Sequence, residues 1–473
     1  MSETFRCKFV YAKIVTKCNW QSQFNFQTPS ADSQRMQKSL SERIAKAMGP
    51  LPKQKEARAF ATMAIIGAVL ACVLSLYYGS RGEVFMGRHL GGDFLQYYSA
   101  GHILNQGTPA QLYDTAYLEK LEHEIMPTFP KDQVGIYGYA PWMAHLFRPF
   151  AALPYIWGYA AWLLFSAALY CSGLWILLRG RLPADYARTA WLLACSTPMF
   201  AFETWIGGQT SIIAFFAAAC FVRAFESQQL FAAGLALGLF VYKPSLLAIP
   251  LFLMLVLRAW RMLAGVSVVV VITTLASLAT GGVQGIRLWL TTMDAYKNLA
   301  ISGSSLLKRN KYVDLNSFFA LLMGESALVR YLSYAVIAAA LFLLARCASH
   351  ARLQSAESQR LLWAGVLVWT QIINIYVPVY DTVLLIPALA LAAPLLLARG
   401  RKNDQVAMGL WLLALWLLPW LTQATAEFLG IQLITILLAG CGWWLLETGQ
   451  KWSVATPESP IFGDSVSAEM LTN

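Results

Sequence analysis

Long apolar runs alternate with short polar joins from residue 59 to residue 447, and two longer polar segments, 79–153 and 281–326, interrupt the alternation. Runs of about 17–25 apolar residues match a hydrocarbon core about 30 Å thick. The pattern predicts membrane-spanning helices at 59–78, 155–178, 186–203, 209–225, 262–280, 327–346, 361–377, 381–398, 406–423 and 428–447. Between 226 and 261 the run is interrupted at Lys243–Pro244. Proline removes a backbone donor and clashes with the preceding turn, so two segments of about a dozen residues form a hairpin or a broken helix there. At about 1.5 Å of rise per residue each arm reaches about 20 Å, short of a full crossing. The Gly234–Gly238 spacing lets the first arm pack closely on a neighbour. The predicted fold is an all-α polytopic membrane protein of about ten to twelve transmembrane helices.

Composition excludes the alternatives. The 473 residues would suffice for two or three soluble domains, but 58% are hydrophobic and only 13% charged, and the mean hydropathy is +0.52. A porin-type barrel alternates apolar and polar residues over about ten positions and has no continuous run like 262–280. The net charge is +11, and residues 1–58 alone hold eleven Lys or Arg against four acids. By the positive-inside rule this mobile arm is cytoplasmic, as is the tail 448–473, leaving 59–447 as the transmembrane domain. An amphipathic helix is expected near 36–48. A basic arm beside a span orients the protein or meets anionic lipid, so no nucleic-acid partner is expected. No cleavable signal peptide is evident, and the first span reads as an uncleaved anchor in a plasma (inner) membrane. The eight cysteines form no CxxC pair, which argues against disulfides and thiolate metal sites.

Segment 79–153 has five basic and seven acidic residues and four of the five histidines, which marks it as the extracytoplasmic workplace. Residues 93–105 and 112–125 each read as a helix, separated by a Gly107–Thr108–Pro109 break. Asp93 opens the first of these, with Gln96 and Tyr97 on the same face. Asp93 reads as an N-cap after two glycines and equally as an ionised general base for a hydroxyl nucleophile. Tyr137, Tyr139, Trp142, His145 and Arg148 precede the second span. They fit an interfacial aromatic belt, or a sugar platform in which Arg148 or His145 reaches a phosphate. The histidines lack metal-ligand spacing, so neither a metal nor another cofactor is expected.

Lys243 lies within an apolar stretch, where a cation needs a polar cavity, a partner or a snorkelling path. A buried anion such as a lipid phosphate is one such partner. Glu203, Gln209, Tyr380 and Asp381 all fall at predicted outer turns and can face one cavity, although Glu203 and Asp381 read equally as solvated caps. Lys297, Lys308, Arg309 and Lys311 form a basic cluster on the side where the orientation rule disfavours one; anionic headgroups, a leaving phosphate or simple solvation would each account for it.

Taken in order, GGDFLQYYSAG (91–101), GTPAQLYD (107–114), the Leu153–Pro154 approach to the second span, GGQTSII (207–213), FAAGLALGLFVYKP (231–244) with LRAWR (257–261), and PVYDTVLLIPALAL (378–391) give the chain a recognisable pattern. It resembles glycosyltransferase family 87, the polyprenyl-phosphate-mannose-dependent mannosyltransferase-like membrane proteins of GT-C architecture, over roughly residues 90–400. The resemblance implies a polyprenyl-phosphate sugar donor, normally carrying mannose, a glycolipid or glycan acceptor, and a site facing away from the cytoplasm. It puts the candidate base at Asp93, and Gln209 and Lys243 in the site. The arm 1–58 is not part of the pattern. A single acceptor-side carboxylate would give inversion. A transporter or flippase of a lipid-linked sugar would want a similar cavity, but no internal repeat appears and the long outer segment suits an acceptor platform better. A membrane scaffold would not need Lys243.

Overall fold

The structure, a computed structural model, describes residues 54–85, 89–129, 135–182, 184–302, 308–351, 355–374 and 377–452. The basic arm through residue 53, with the amphipathic helix expected there, and the tail beyond 452 lie outside the described residues. Among the described residues the secondary structure is helical, with no β-strand and one isolated bridge between Tyr312 and Pro378. The helices are α1 (Gln54–Ser80), α2 (Phe94–Asn105), α3 (Thr115–Ile125), α4 (Ala144–Ala151), α5 (Tyr155–Leu178), α6 (Ala184–Cys195), α7 (Ser211–Glu226), α8 (Leu230–Gly238) and α9 (Pro244–Val256). They continue as α10 (Trp260–Ser302), α11 (Leu315–Met323), α12 (Ala327–Ala351), α13 (Ala356–Trp369), α14 (Leu385–Arg399), α15 (Lys402–Leu417), α16 (Pro419–Phe428) and α17 (Leu433–Trp452).

By length and composition five stretches can cross a membrane: Gln54–Ser80, Tyr155–Leu178, Trp260–Ala295, Ala327–Ser349 and Val379–Arg399. The pair α15 and α16, bent by 59°, would make a sixth. This is an all-α, multi-pass membrane protein. Other predicted spans form helices outside this set, most of them shorter; α17 has 20 residues. The run at 186–203 divides at Pro198 into α6 and a π-helical turn, Met199–Ile206. The run at 361–377 stops at Trp369.

Lipid-facing surface and core separate cleanly. Phe60, Met63, Ile66 and Leu70 recur at helical spacing on α1, and all are more than half exposed. Soluble monomers rarely expose such a contiguous apolar stripe, whereas a lipid-facing helix does. Inside, Trp162, Tyr170, Phe215, Phe221, Phe225 and Trp363 are buried in one continuous core. The broken helix expected at Lys243–Pro244 is there: α8 tightens into a 3-10 turn, Leu239–Tyr242, and Lys243 leaves helical geometry before Pro244 opens α9. The expected close packing of α8 is also present, because a Cβ on Gly234 would fall 2.0 Å from the Met262 carbonyl oxygen of α10.

Segment 79–153 carries a small core of its own. Ala100, Ile103, Leu112, Leu118, Leu121 and Tyr137 are buried together, apart from the main core. Its two expected helices are α2 and α3, joined by a 3-10 turn, Pro109–Tyr113, after Gly107 turns the chain at φ 75°. Asp114 caps α3 by accepting from the N–H groups of Ala116 and Tyr117 at 3.1 Å.

The second polar segment differs from the loop expected at 281–326. The helix of the preceding span kinks at Gly282 (φ 61°, ψ −167°) and runs on to Ser302. This helix packs against the turns Pro109–Tyr113 and Pro141–Met143, and the Trp289 indole N–H donates to the Gly138 carbonyl at 3.4 Å. Hydropathy ends with the apolar run, whereas helix formation does not require an apolar sequence.

Candidate active site

Two glycine pairs build the site. Gly91 and Gly92 precede α2, Gly207 and Gly208 precede α7, and three of the four have positive φ (83°, 51° and 67° at Gly91, Gly92 and Gly208). A Cβ on Gly92 would lie 3.0 Å from the Gly207 carbonyl oxygen, and one on Gly208 would lie 2.5 Å from that of Gly91. Only glycine meets both the backbone angles and the closeness. The two backbones therefore touch, and the side chains that follow them meet as well.

Asp93 occupies the N-cap position of α2, but its backbone is already helical (φ −72°, ψ −7°) and its side chain makes no capping bond. Its Oδ2 instead accepts a hydrogen bond from the Gln209 amide Nε2 at 2.7 Å. The capping alternative is thus not realised. A fixed amide donor orients the carboxylate and stabilises its charge.

Residues 209–211 act as a hub, each reaching a different neighbour. Gln209 holds Asp93, and its Oε1 lies 3.4 Å from the Tyr97 hydroxyl, which can donate to it. The Thr210 hydroxyl is 2.9 Å from that of Tyr139, which lies 3.2 Å from the hydroxyl of Tyr97. The Ser211 hydroxyl donates to Asp381 Oδ1 at 2.5 Å. Successive positions at a helix start are turned by about 100°, so three neighbours in sequence serve three directions.

On the Asp381 side, the Lys243 ammonium donates to Asp381 Oδ2 and lies 4.9 Å from the centre of the Tyr380 ring. The Asp381 side chain is fully buried and that of Lys243 is 13% exposed. The partner that Lys243 needs inside an apolar region is therefore a carboxylate of this chain. Lys243 is placed by the broken helix, Asp381 by the 3-10 turn Val379–Leu384, and the Thr204 hydroxyl ties the π-helical turn to the Tyr380 carbonyl at 3.0 Å. Tyr242 stacks on Tyr139 (centroids 5.9 Å apart) and donates to the Thr210 carbonyl at 3.1 Å.

The structure thus brings together Asp93, Tyr97, Tyr139, Gln209, Lys243, Tyr380 and Asp381. Gln96 lies on the same helix but faces Gly135, whose Cβ would fall 3.1 Å from that of Gln96. Trp142 is half-buried against the core on the 3-10 turn Pro141–Met143. His145 and Arg148 point elsewhere. The His145 ring is 2.8 Å from the Thr280 hydroxyl, and exposed Arg148 exchanges two hydrogen bonds with Asn105. In the basic cluster, Arg309 pairs with Glu325 at 3.0 Å, and the side chain of Lys297 lies outside the described residues. Glu203 sits half-buried on the π-helical turn.

Sequence reasoning missed Thr210, Ser211 and Tyr242, and it missed Glu122. That carboxylate is fully buried, and its Oε2 accepts from the Gly135 N–H at 2.7 Å. Burial pushes its pKa up to about 7, against the opposing effects of the Gly135 bond and the nearby His123. Burial likewise raises the hydroxyl pKa of Tyr97 and Tyr139, so both stay protonated.

A family model, glycosyltransferase family 87, matches residues 137–373, half of the chain. No curated protein and no solved structure matches. The matched stretch contains Tyr139, Gln209 and Lys243; Asp93 and Asp381 fall outside it and are joined to it by Gln209 and by Ser211 and Lys243.

Proposed function

Because this chain belongs to glycosyltransferase family 87 and is a membrane glycosyltransferase, we propose that it moves mannose from a polyprenyl phosphate to a lipid or glycan acceptor on the extracytoplasmic side, with Asp93 as general base. The observation that carries this reading is the hub at residues 209–211, which fixes a carboxylate on one side and an ammonium–carboxylate pair on the other.

The chemistry follows from those placements. The acceptor hydroxyl gives its proton to Asp93 as its oxygen attacks the anomeric carbon. The bond from that carbon to the phosphate oxygen breaks, its electron pair stays with the polyprenyl phosphate, and the sugar passes through an oxocarbenium-like state. One displacement from the face opposite the phosphate inverts the anomeric centre. Charge accumulates on the leaving phosphate, where a preorganised cation is most effective. Lys243 takes that role in preference to Arg148 and His145, since Asp381, itself held by Ser211, already fixes its position. Its ammonium has three donors, of which Asp381 occupies one. Tyr139 and Tyr380, with buried Tyr97 bonded behind Tyr139, then offer ring faces suited to a pyranose.

The test is transfer by purified protein of labelled mannose from polyprenyl phosphate mannose to a panel of membrane glycolipids. A labelled glycolipid with inverted anomeric configuration is expected. No transfer to any acceptor, accompanied by movement of the labelled donor across vesicles, would replace this reading with a flippase.

A further inference from the structure

The end of the bundle remote from Asp93 contains a second charged assembly. Helix α5 begins beside the glycine loops, where the Tyr155 hydroxyl donates to the Leu90 carbonyl, and its 24 residues carry the chain about 36 Å to Leu178. Just beyond, Arg181 folds back with its side chain 8% exposed. Its Nη1 donates to the Leu177 carbonyl at 2.8 Å and its Nη2 to Glu226 at the end of α7. Its Nε–H is buried with no acceptor. Arg360 on α13 likewise has a buried Nε–H with no acceptor. Arg223, in the last turn of α7, is exposed, and both Arg223 and Arg360 lie close enough to act electrostatically on Arg181.

Charge does not balance there. Glu226 answers one of three guanidinium groups, and the neighbouring Glu357 gives its Oε1 to a fourth, Arg399, at 2.9 Å while its Oε2 is buried without a donor. Burial lowers the pKa of Arg181; the attraction of Glu226 opposes it, and weaker repulsion from Arg223 and then Arg360 adds to the lowering. Two buried N–H donors without acceptors, beside an excess of positive charge, suit a tetrahedral oxyanion with several acceptor oxygens.

We propose that Arg181, Arg223 and Arg360 form a binding site for a phosphate ester at the end of the bundle opposite the transfer site. The headgroup of an anionic phospholipid fits best. The same turn that carries Arg181 also borders an open groove of about 580 Å³ between α5 and α6, lined by Trp175, Leu178, Arg179, Arg188 and Trp191. Its aromatic and aliphatic walls offer room for the apolar part of such a molecule, and basic pockets between membrane helices hold lipid headgroups in this way.

Binding, not activity, is the readout, so the result stands apart from the sugar-transfer reading. Full-length protein in neutral detergent would be titrated with phosphatidylglycerol, phosphatidylcholine or inorganic phosphate at constant ionic strength, following its thermal midpoint and the lipids retained in native mass spectrometry. Phosphatidylglycerol is expected to raise the midpoint and remain bound where phosphatidylcholine does not. Arg223→Gln with Arg360→Gln, which leaves the Arg181–Glu226 pair intact, is expected to weaken that binding at least tenfold. Stabilisation by inorganic phosphate that is equally sensitive to the substitutions would support the site and assign it a soluble phosphate ester. Equal effects of the two lipids, or an unchanged response in the double variant, would overturn the proposal.

Discussion

Lys243 and Asp381 show how much of a buried charge can be read from a sequence. A lysine in an apolar stretch announces that it needs a partner, and the aspartate at an expected outer turn is that partner. Removing one member of such a pair leaves an uncompensated charge and costs about 3–5 kcal/mol, whereas replacing both by apolar residues can be neutral. Lys243→Met alone is therefore expected to unfold at a markedly lower temperature than the wild type. Lys243→Met with Asp381→Leu should recover most of that loss in a thermal scan while transferring no sugar. Glu122 gives a second residue-scale expectation. Its folded pKa of about 7 lies above the ordinary value of 4.5. Below about 4.5 it is protonated in both states and carries no penalty. Between 4.5 and 7 the unfolded chain ionises first, so stability falls as pH rises, and above 7 the penalty is constant. Thermal midpoints measured from pH 5 to pH 8 should fall in the wild type and less steeply in Glu122→Gln. The hydroxyls of Thr210 and Ser211 were not legible in the same way. Hydroxyls in membrane helices commonly bond to their own helix, as Thr273 and Ser277 do, so only the assembled fold distinguishes those that reach across it.

At the scale of elements, hydropathy located the helices well and their ends poorly. The 59–78 run became α1, two turns longer in sum, and the Lys243–Pro244 break and both helices of segment 79–153 stand where the sequence placed them. The continuation of α10 past Gly282 was not legible, because its residues are more polar than the run before it and its place is set by contact with segment 79–153. Contact between the two glycine pairs was hidden for a different reason: a positive φ can be guessed from Gly-Gly, but the partner that requires it is 115 residues away for Gly92 and 117 for Gly208. Gly208→Ala should test that contact. At φ 67° with a carbonyl oxygen 2.5 Å from the new Cβ, strain of about 1–3 kcal/mol is expected, together with slower transfer as Gln209 shifts away from Asp93. Gly107→Ala, at φ 75° with nothing within 4 Å of the new Cβ, carries the backbone strain without the collision and should leave transfer near the wild-type rate. Equal losses of activity in the two variants would contradict the packing account.

On the scale of the whole molecule, buried charges gather at two ends of one bundle, to which the two proposals give separate roles. Asp93 and the paired Lys243 gather where the small second core of segment 79–153 stands over the helices, and the arginines gather at the other end. That division requires transfer on one side only. It is tested most directly in sealed vesicles holding the protein in one orientation, with labelled polyprenyl phosphate mannose in the bilayer and acceptor supplied to either face, comparing wild type with Asp93→Asn. The account expects wild-type transfer only to acceptor on the Asp93 face, and a rate at least about 10²-fold lower in Asp93→Asn with donor binding and folding unchanged. Full activity in that variant, or transfer to acceptor on the arginine face, would contradict it.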